Sequence, residues 1–171
     1  MTSVGCVDVV HDYGVPDPIF AEPRLADLYD VLDDDRGDLD VYVRIVEELG
    51  ATSVLDVGCG TGTLACMLAA EGVRGIGLDP AAASLAVART KPGAAAIKWI
   101  HGSASEAPAV GVDLAVMTGN VAQVFVSDVE WRATLQAVWN AVKPGGLFVF
   151  ETRDPAAQAW KQWARIDQPR G

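Results

Sequence analysis

Two aspartates and three closely spaced glycines are the residues of this chain that could hold a small ligand. They lie in the stretch SVLDVGCGTGTLACMLAAEGVRGIGLDP, at positions Asp56, Gly58, Gly60, Gly62 and Asp79. A glycine lacks a Cβ atom, so the backbone can turn tightly there and approach a ligand closely. A helix that begins after the glycines would point its free N–H groups at the same place. The pattern predicts a nucleotide-like ligand in a turn between a strand and a helix.

The spacing of the glycines separates two kinds of cofactor. Dinucleotide sites have the spacing GxGxxG or GxGxxA, and in this chain the third small residue would fall on Thr63. The spacing here is GxGxG, with Asp56 two positions ahead of the first glycine. A carboxylate repels a diphosphate and attracts an ammonium or sulfonium group. The motif therefore favours a cationic ligand, and a nicotinamide-dependent oxidoreductase is the less favoured alternative.

Short apolar runs rich in β-branched residues alternate with helical patterns from Ser53 onward. The runs are SVLDVG, VRGIGLD, AAIKWIHG, VDLAVMTG and GLFVFETR, and the helices predicted between them are Thr63–Glu71, Ala81–Lys91 and Asp128–Val142. Apolar strands that alternate with helices are typical of a parallel sheet covered on both faces. We expect a doubly wound, Rossmann-like α/β fold, in which ligands bind beyond the carboxyl ends of the strands.

One domain is expected for a chain of 171 residues, half of them hydrophobic. Residues 1–50 are predicted to form an acidic helical segment of that domain, with helices over Pro23–Leu32 and Asp38–Gly50. Residues 51–154 form the α/β core in this interpretation. A last, short helix is predicted over residues 155–171, with Asp154 as its N-cap.

Composition excludes several classes of function. The formal charge of −10 comes from residues 1–50, where thirteen Asp and Glu face three Arg, so nucleic acid is a poor partner. The three cysteines, Cys6, Cys59 and Cys66, form no CxxC pair, and neither a disulfide framework nor a metal site is expected. Because the chain has neither a membrane-length apolar run nor a secretory signal, we expect a cytoplasmic protein without a membrane partner.

The segment VLDVGCGTG resembles the first motif of the class I S-adenosylmethionine-dependent methyltransferases, and the similarity extends from residue 53 to about residue 152. The resemblance implies S-adenosylmethionine as cofactor and S-adenosylhomocysteine as product. It implies that the cofactor's methionine portion lies against the backbone around Asp56, Gly58, Cys59, Gly60 and Gly62. Asp79, followed by Pro80, would accept hydrogen bonds from both ribose hydroxyls. In the alternative interpretation, Asp79 only caps the next helix and Asp56 only braces the glycine loop.

Further contacts follow from the same resemblance. Ser103 and Ala104, after the third strand, would meet the adenine, and Thr118 and Asn120 would lie near the methionine end and the transferred methyl group. Asn120 is alternatively a turn residue in a left-handed conformation. Tyr29 would cover the cofactor from an N-terminal lid, or else belong to the core. His101 is expected to be a half-buried packing residue, and Lys143 in KPGG a solvated charge.

Methyl transfer from a sulfonium is an in-line displacement, in which the protein mainly aligns acceptor, methyl carbon and sulfur. A general base is needed only where the acceptor must lose a proton. We expect a small-molecule acceptor, and no residue identifies itself as catalytic. Polar residues that could reach the site are His11, Tyr13, Tyr29, Glu151, Arg153 and Asp154.

Relatives in this family usually continue past the fifth strand into an antiparallel strand pair, for which this chain has too few residues left. The sheet is therefore expected to lack that pair and to expose GLFVFETR as an edge strand. An apolar edge invites pairing with another chain. We expect a homodimer through this edge or through the last helix, with Trp160, Trp163 and Ile166 on one face. The alternative is a domain that binds the cofactor without catalysis.

Overall fold

A computed structural model of the chain describes residues 16–158, and helices and strands alternate through them. The α-helices are α1 Pro18–Ala21, α2 Pro23–Leu32, α3 Asp40–Glu48, α4 Thr63–Ala70, α5 Ala82–Ala88 and α6 Asp128–Ala141. The strands are β1 Ser53–Val57, β2 Arg74–Asp79, β3 Lys98–His101, β4 Val112–Met117 and β5 Val142–Phe150. Single 3₁₀ turns lie at Gly37–Leu39, Ala94–Ala96, Ala104–Glu106, Val121–Gln123 and Pro155–Ala157.

The five strands form one sheet in the order β3-β2-β1-β4-β5, and every neighbouring pair is parallel. This confirms the doubly wound α/β fold. The chain runs outward from β1 to β3 on one side and returns to continue through β4 and β5 on the other. The strand order thus reverses between β1 and β4, and ligands of such sheets bind at the carboxyl ends beside that reversal.

A hydrophobic core lies on each face of the sheet, and β1 contributes to both. Val54 packs with residues of α3 and α4 in one core, whereas Leu55 and Val57 pack with residues of α6 in the other. All five residues of β1 are buried. A strand covered on both faces is apolar at most positions, and in β1 the buried exceptions are Ser53 and Asp56.

The strand β5 starts earlier than predicted and contains an irregularity. Its pairing with β4 runs from Val112–Val142 directly to Leu114–Leu147, so the KPGG segment bulges out of the register. Pro144 has no N–H to donate to a neighbouring strand, and Gly145 has a φ of 80°. Lys143 is not simply solvated, because its ammonium pairs with the carboxylate of Asp113.

The prediction of an α-helix from Pro155 is wrong for the part that the structure describes. The Asp154 side chain does accept a hydrogen bond from Ala156 N at 2.8 Å, as an N-cap would. Pro155–Ala157 then forms a single 3₁₀ turn, because Gln158 adopts a left-handed conformation with φ 46° and ends it. The predicted helical face of Trp160, Trp163 and Ile166 lies outside the described residues. From residue 16 to residue 158 the sheet contains no antiparallel strand.

Asp113 joins three strands at the amino end of the sheet. Its Oδ2 accepts hydrogen bonds from the backbone N and the hydroxyl of both Thr52 and Ser53, at 2.8 to 3.0 Å. Its Oδ1 pairs with Lys143 at the start of β5. The Lys143 ammonium and these donors hold the pKa of Asp113 well below its usual range. The carboxylate therefore ties β1, β4 and β5 together most strongly while it is ionised.

We expect Asp113→Ala to lower the thermal unfolding midpoint at pH 7 by a few degrees, because the N–H groups of Thr52 and Ser53 lose their acceptor. A carboxyl group with a depressed folded pKa stabilises the fold above its unfolded pKa, about 3.9. The difference between wild type and variant should therefore shrink as the pH falls below about 4. Thermal melts from pH 7 to pH 3 measure it, with the exposed Asp27→Ala as control. A difference that stays constant down to pH 3 would contradict this role.

Candidate functional site

A cavity of about 460 Å³ opens at the carboxyl end of the sheet. Its walls come from the ends of β1, β2 and β4, the loop after β3, the segment from Pro16 to Leu39, and the start of α6. The volume lies in the range of small-molecule sites. Among the described residues, the charged ones that line it are Asp17, Arg36, Asp56, Asp79 and Glu130.

The glycine loop between β1 and α4 requires its glycines. Gly58, Gly60 and Gly62 have φ values of 74°, 52° and 77°, a region in which residues with side chains are strained. Space is restricted as well, since a Cβ on Gly62 would lie 2.4 Å from the ring of Trp99. A Cβ on Gly58 would lie 2.5 Å from Val121. Gly58 and Gly60 line the cavity, whereas the predicted site residue Gly62 does not.

Asp79, at the end of β2, braces the glycine loop. Its Oδ2 accepts a hydrogen bond from Gly60 N at 2.8 Å, and its Oδ1 accepts one from Ala81 N at 2.7 Å. The capping contact considered from the sequence is therefore present, together with a second contact to the loop. Burial raises the pKa of Asp79, and these two hydrogen bonds oppose that rise. Each oxygen can still accept from a ligand, since a carboxylate offers about four acceptor positions.

Asp56, in β1, carries a buried oxygen without a partner. Its side chain lines the cavity, the residue is 2% exposed, and no donor within the described chain reaches Oδ1. Burial raises the pKa of Asp56 to about 7, the negative charge of Asp79 adds to the rise, and the positive charge of Arg36 opposes it. A buried carboxylate is costly unless it is paired. The site is thus suited to a cationic group of a ligand.

The segment from α1 to the turn before α3, residues 16–39, forms a lid over the glycine loop. The rings of Phe20 and Tyr29 contact each other at 5.3 Å between centroids, and both line the cavity. Asp30 of α2 accepts a hydrogen bond from the Thr61 hydroxyl at 2.6 Å and pairs with Lys91 at 2.8 Å. These contacts attach the lid to the loop and to the end of α5.

Arg36 is a cavity residue that the sequence did not single out. Its side chain is 20% exposed, and its Nε and Nη2 donate to the carboxylate of Asp38 at 3.1 and 3.3 Å. The carboxylate of Asp33 lies 3.8 Å away. A signal was available, because Arg36 is a single cation inside the acidic run DDDRGDLD. That run is also typical of a solvated surface.

The other predicted site residues divide into two groups. Cys59, Pro80, Ser103, Ala104 and Thr118 line the cavity. Asn120 does not line it; the residue has a φ of 67°, as a turn residue would, and its N–H donates to Glu151 Oε1 at 3.1 Å.

His101 and Ser103 make contacts that were not expected from the sequence. The prediction of a half-buried His101 is wrong. The residue is exposed, because β3 lies at the edge of the sheet, and its Nε2 is 2.9 Å from the Pro80 carbonyl oxygen. The Ser103 hydroxyl donates to Glu106 Oε2 at 2.9 Å. Its oxygen also lies 3.0 Å from the Ser105 hydroxyl and accepts from the Glu106 backbone N–H in a capping box.

An apolar wall that sequence reasoning missed completes the cavity. Val124 and Val129 line it and remain 66% and 77% exposed. Phe125 lines it as well and contacts Trp131 of α6 at 5.5 Å between ring centroids. These residues lie after β4 and at the start of α6, where the sequence offers only scattered valines between polar residues. Large exposed apolar side chains around a cavity are typical of a binding surface.

Among the polar residues considered as bases, Tyr29 lines the cavity. Glu151 accepts a hydrogen bond from Asn120 N, and Asp154 caps the turn at Pro155. Glu151, Arg153 and Asp154 do not line the cavity. His11 and Tyr13 lie outside the described residues. From residue 16 to residue 158 no group of three His, Cys, Asp or Glu is arranged to hold a metal ion. Nor does any helix of that part have the length and apolarity to cross a membrane.

The known proteins described below, which resemble this chain in sequence or in structure, are named methyltransferases. Residues 54–146 match the family model described as a methyltransferase domain. An uncharacterized methyltransferase of Mycobacterium tuberculosis strain H37Rv is 34% identical over 115 residues, which cover 66% of this chain and 56% of the relative. A ubiquinone biosynthesis O-methyltransferase of Pectobacterium carotovorum is 36% identical over 117 residues, or 67% and 48% of the two chains.

A methyltransferase of known structure has a similar fold and a similar sequence. The amino pentose methyltransferase CalS10 of Micromonospora echinaspora, solved with S-adenosylmethionine bound, superimposes with a TM-score of 0.65 at 26% identity. The match covers 74% of this chain and 56% of that one. This chain thus spans about half the length of each of these proteins.

Proposed function

Because the chain belongs to the class I S-adenosylmethionine-dependent methyltransferases, we propose that it binds S-adenosylmethionine in this cavity and transfers the methyl group to an acceptor. S-adenosylhomocysteine is the product. The observation that carries the proposal is the unpartnered, buried Oδ1 of Asp56 beside the glycine loop. A positive charge would stabilise that buried oxygen. The cofactor has two positive charges, one on its sulfonium and one on its ammonium group.

The rest of the cavity fits the same cofactor. Asp79 has acceptor positions left for two ribose hydroxyls. Ser103 and Ala104 offer a polar and a small residue to an adenine, and the lid supplies Phe20 and Tyr29 as aromatic cover. A dinucleotide fits poorly, because its diphosphate would face four acidic side chains and a single arginine. This charge balance disfavours a nicotinamide-dependent oxidoreductase.

The bound cofactor supplies an electrophilic methyl group on a good leaving group. The chain's own part is alignment, for which the glycine loop and Asp79 hold one side and the lid excludes water from the other. Tyr29 is the one proposed base that lines the cavity, yet burial and the charge of Asp33 raise its pKa. The phenol therefore stays protonated at neutral pH and can orient an acceptor by a hydrogen bond, but it is a poor base.

We further propose a small-molecule acceptor. The apolar wall of Val124, Phe125 and Val129 suits a compact organic molecule, and the acidic lid repels nucleic acid. Relatives support the class, since one is a ubiquinone biosynthesis O-methyltransferase and another an amino pentose methyltransferase. We also assign residues 16–50 to the same domain as the core, because the lid residues Phe20 and Asp30 bond to Ser84 and Thr61.

A second candidate is cofactor binding without methyl transfer. The observation that favours it is that neither Asn120 nor Glu151, after β4 and β5, lines the cavity; the Glu151 carboxylate accepts from the backbone N of Asn120 instead. An acceptor would then find few polar groups to orient it near the methyl group.

Calorimetry with S-adenosylmethionine, S-adenosylhomocysteine and NAD tests the proposal. We expect micromolar binding of both adenosyl ligands and none of NAD. Binding of NAD alone would overturn the methyltransferase assignment. Turnover is then measured as S-adenosylhomocysteine release over a panel of phenols, quinols and amines. Release with any acceptor supports catalysis, whereas cofactor binding with persistent inactivity supports the second candidate.

A further inference from the structure

The first half of α6 contributes one face to the wall of the cavity, made of Val129, Glu130, Ala133 and Thr134. Residues four positions apart are neighbours on a helix, with about 5–6 Å between their Cβ atoms. The face therefore consists of two adjacent rows. Val129 and Ala133 form an apolar row, whereas Glu130 and Thr134 form a polar row.

Glu130 carries a carboxylate that no cation neutralises in the described chain. The Ser127 hydroxyl donates to its Oε2 at 2.8 Å. No Lys, Arg or His of residues 16–158 lies within 4.0 Å of the carboxylate, and its Oε1 accepts no hydrogen bond there. The residue is partly buried and lines the cavity. One charged oxygen is therefore available to a ligand.

Thr134 carries a nearly buried hydroxyl beside that carboxylate. The residue is 1% exposed and lines the cavity. A threonine inside a helix often bonds to the carbonyl oxygen one turn earlier, but within the described residues the Thr134 hydroxyl makes no hydrogen bond. A buried polar group without a partner is costly. A polar ligand in the cavity would remove this cost.

The other acids of the cavity already have partners or a proposed role. Asp17 caps α1 by accepting from Ile19 N at 3.0 Å. Asp79 accepts from the glycine loop at 2.8 Å, and Asp56 is proposed to face a positive charge of the cofactor. Glu130 is thus the acid that remains for a second ligand, and the apolar wall adjoins it at the start of α6.

We propose that the methyl acceptor is a compact amine, whose ammonium group binds Glu130 Oε1 and the Thr134 hydroxyl while its hydrocarbon part packs against the apolar wall. The inference rests on the proposed function and deepens it, because it names the chemical class of the acceptor. An ammonium group has three N–H donors, enough for both side chains at once.

This pairing also determines which atom of the acceptor is not methylated. A neighbouring carboxylate favours the charged form of an amine. An ammonium nitrogen has no lone pair with which to attack a methyl carbon. The nitrogen is therefore the anchor of the acceptor, and a different atom receives the methyl group.

An alternative role for Glu130 is to stabilise α6 alone, since an acid in the first turn interacts favourably with the helix dipole. Asp128 lies in the same first turn, is exposed and does not line the cavity. A helix-stabilising role would be common to both acids and would not distinguish an amine from a neutral ligand. Asp128→Asn is therefore the matched control for Glu130→Gln.

The test compares each amine with the alcohol of the same skeleton, which keeps the hydrocarbon part and lacks the charge. The probes are benzylamine with benzyl alcohol and hexylamine with hexanol, titrated at pH 7 into protein saturated with S-adenosylhomocysteine. We expect wild type to bind at least one amine about tenfold more tightly than its alcohol. Glu130→Gln should remove about tenfold of amine affinity, as for a charged hydrogen bond, and leave alcohol affinity unchanged.

The remaining variants should give graded results. Thr134→Val keeps the shape of the side chain and loses the hydroxyl, so amine affinity should fall by about twofold to tenfold, as for one hydrogen bond. Asp128→Asn should change neither affinity. Thermal melts of each variant verify folding, and the comparison of amine with alcohol in wild type requires no variant.

Two results would refute the inference while leaving the proposed function intact. One is an equal affinity of wild type for amines and alcohols, with S-adenosylhomocysteine bound. The other is a loss of amine affinity in Glu130→Gln that Asp128→Asn reproduces, or that extends equally to the alcohols. S-adenosylhomocysteine is titrated alone at the start. If wild type does not bind it, the proposed function fails and the inference fails with it.

Discussion

Replacing Asp56 with Asn is expected to weaken S-adenosylmethionine binding by about 2–5 kcal/mol, the range for removing one partner of a buried charge pair. The side chain is almost fully buried, and its Oδ1 has no other partner in the described chain. Asn has nearly the same shape and lacks the charge, so the loss measures electrostatics rather than packing. Calorimetry at pH 8 provides the measurement, with the exposed Asp27→Asn as control.

The pH dependence follows from the pKa of Asp56, which burial raises to about 7. Asp79 and Arg36 are the charged groups that act on it. Because a cationic ligand prefers the ionised carboxylate, affinity for S-adenosylmethionine should increase as the pH rises through 7. The increase should be absent in Asp56→Asn. An affinity that is flat between pH 6 and pH 8 in wild type would contradict the assignment.

The ligand-free protein should respond in the opposite direction. A carboxyl group whose folded pKa is raised above its unfolded value, 3.8 here, loses stability as the pH rises through the folded pKa. Asp56 therefore destabilises the empty fold above about pH 7, by up to ~4 kcal/mol at about 1.4 kcal/mol per pKa unit. We expect Asp56→Asn to raise the thermal midpoint at pH 8 and to change it little at pH 4. A lower midpoint at pH 8 would mean that the charge is already satisfied.

The second large effect is expected for Asp79→Ala. The change removes the acceptor of Gly60 N and Ala81 N, and each unpaired buried donor costs about 1–3 kcal/mol. It also removes the acceptors proposed for the ribose hydroxyls. We expect a fall in the thermal midpoint of the free protein and a loss of S-adenosylmethionine affinity of at least tenfold. Asp79→Asn should lie between, since its amide keeps one acceptor oxygen.

A matched control separates the two contributions of Asp79. Asp154 also accepts a hydrogen bond from a backbone N two residues on, at Ala156, and it lies outside the cavity. Asp154→Ala should leave cofactor affinity unchanged. If Asp79→Ala lowers stability but not affinity, Asp79 is only a cap and a brace, and the ribose contact is wrong.

The sheet could be predicted from the sequence because its inner strands are buried on both faces. A strand such as β1 is apolar at most positions, and helical spacing on either side then leaves little choice of fold. The glycine loop was predictable for a related reason, since φ values near 70° select glycine. The start of β5 was not, because Val142 pairs with β4 ahead of a bulge that looks like a terminating turn.

Side chains that depend on the path of a loop were harder to predict. Arg36 stands in an acidic run, and the sequence cannot tell a solvated arginine from one that the turn after α2 directs into a cavity. An asparagine at position 120 is compatible with a ligand contact and also with a left-handed turn. In the structure the backbone of Asn120 adopts the left-handed conformation. The hydrophobic residues of the apolar wall, such as Val124 and Val129, do not follow the spacing of a helix or a strand in the sequence. They belong to a loop and to the exposed start of a helix.

The lid has a consequence for how such a pocket can evolve. Tyr29, Arg36 and Leu39 form one wall of the cavity, yet they precede residue 54, where the family match begins. Leu39 packs in the same core as Val54 of β1, whereas the rest of the lid is attached by polar contacts such as Asp30 with Lys91. Mutations of the lid residues outside that core, such as Tyr29 and Arg36, can therefore alter ligand preference without disturbing β1. Homologues with nearly the same sheet can diverge in specificity through a segment of some two dozen residues.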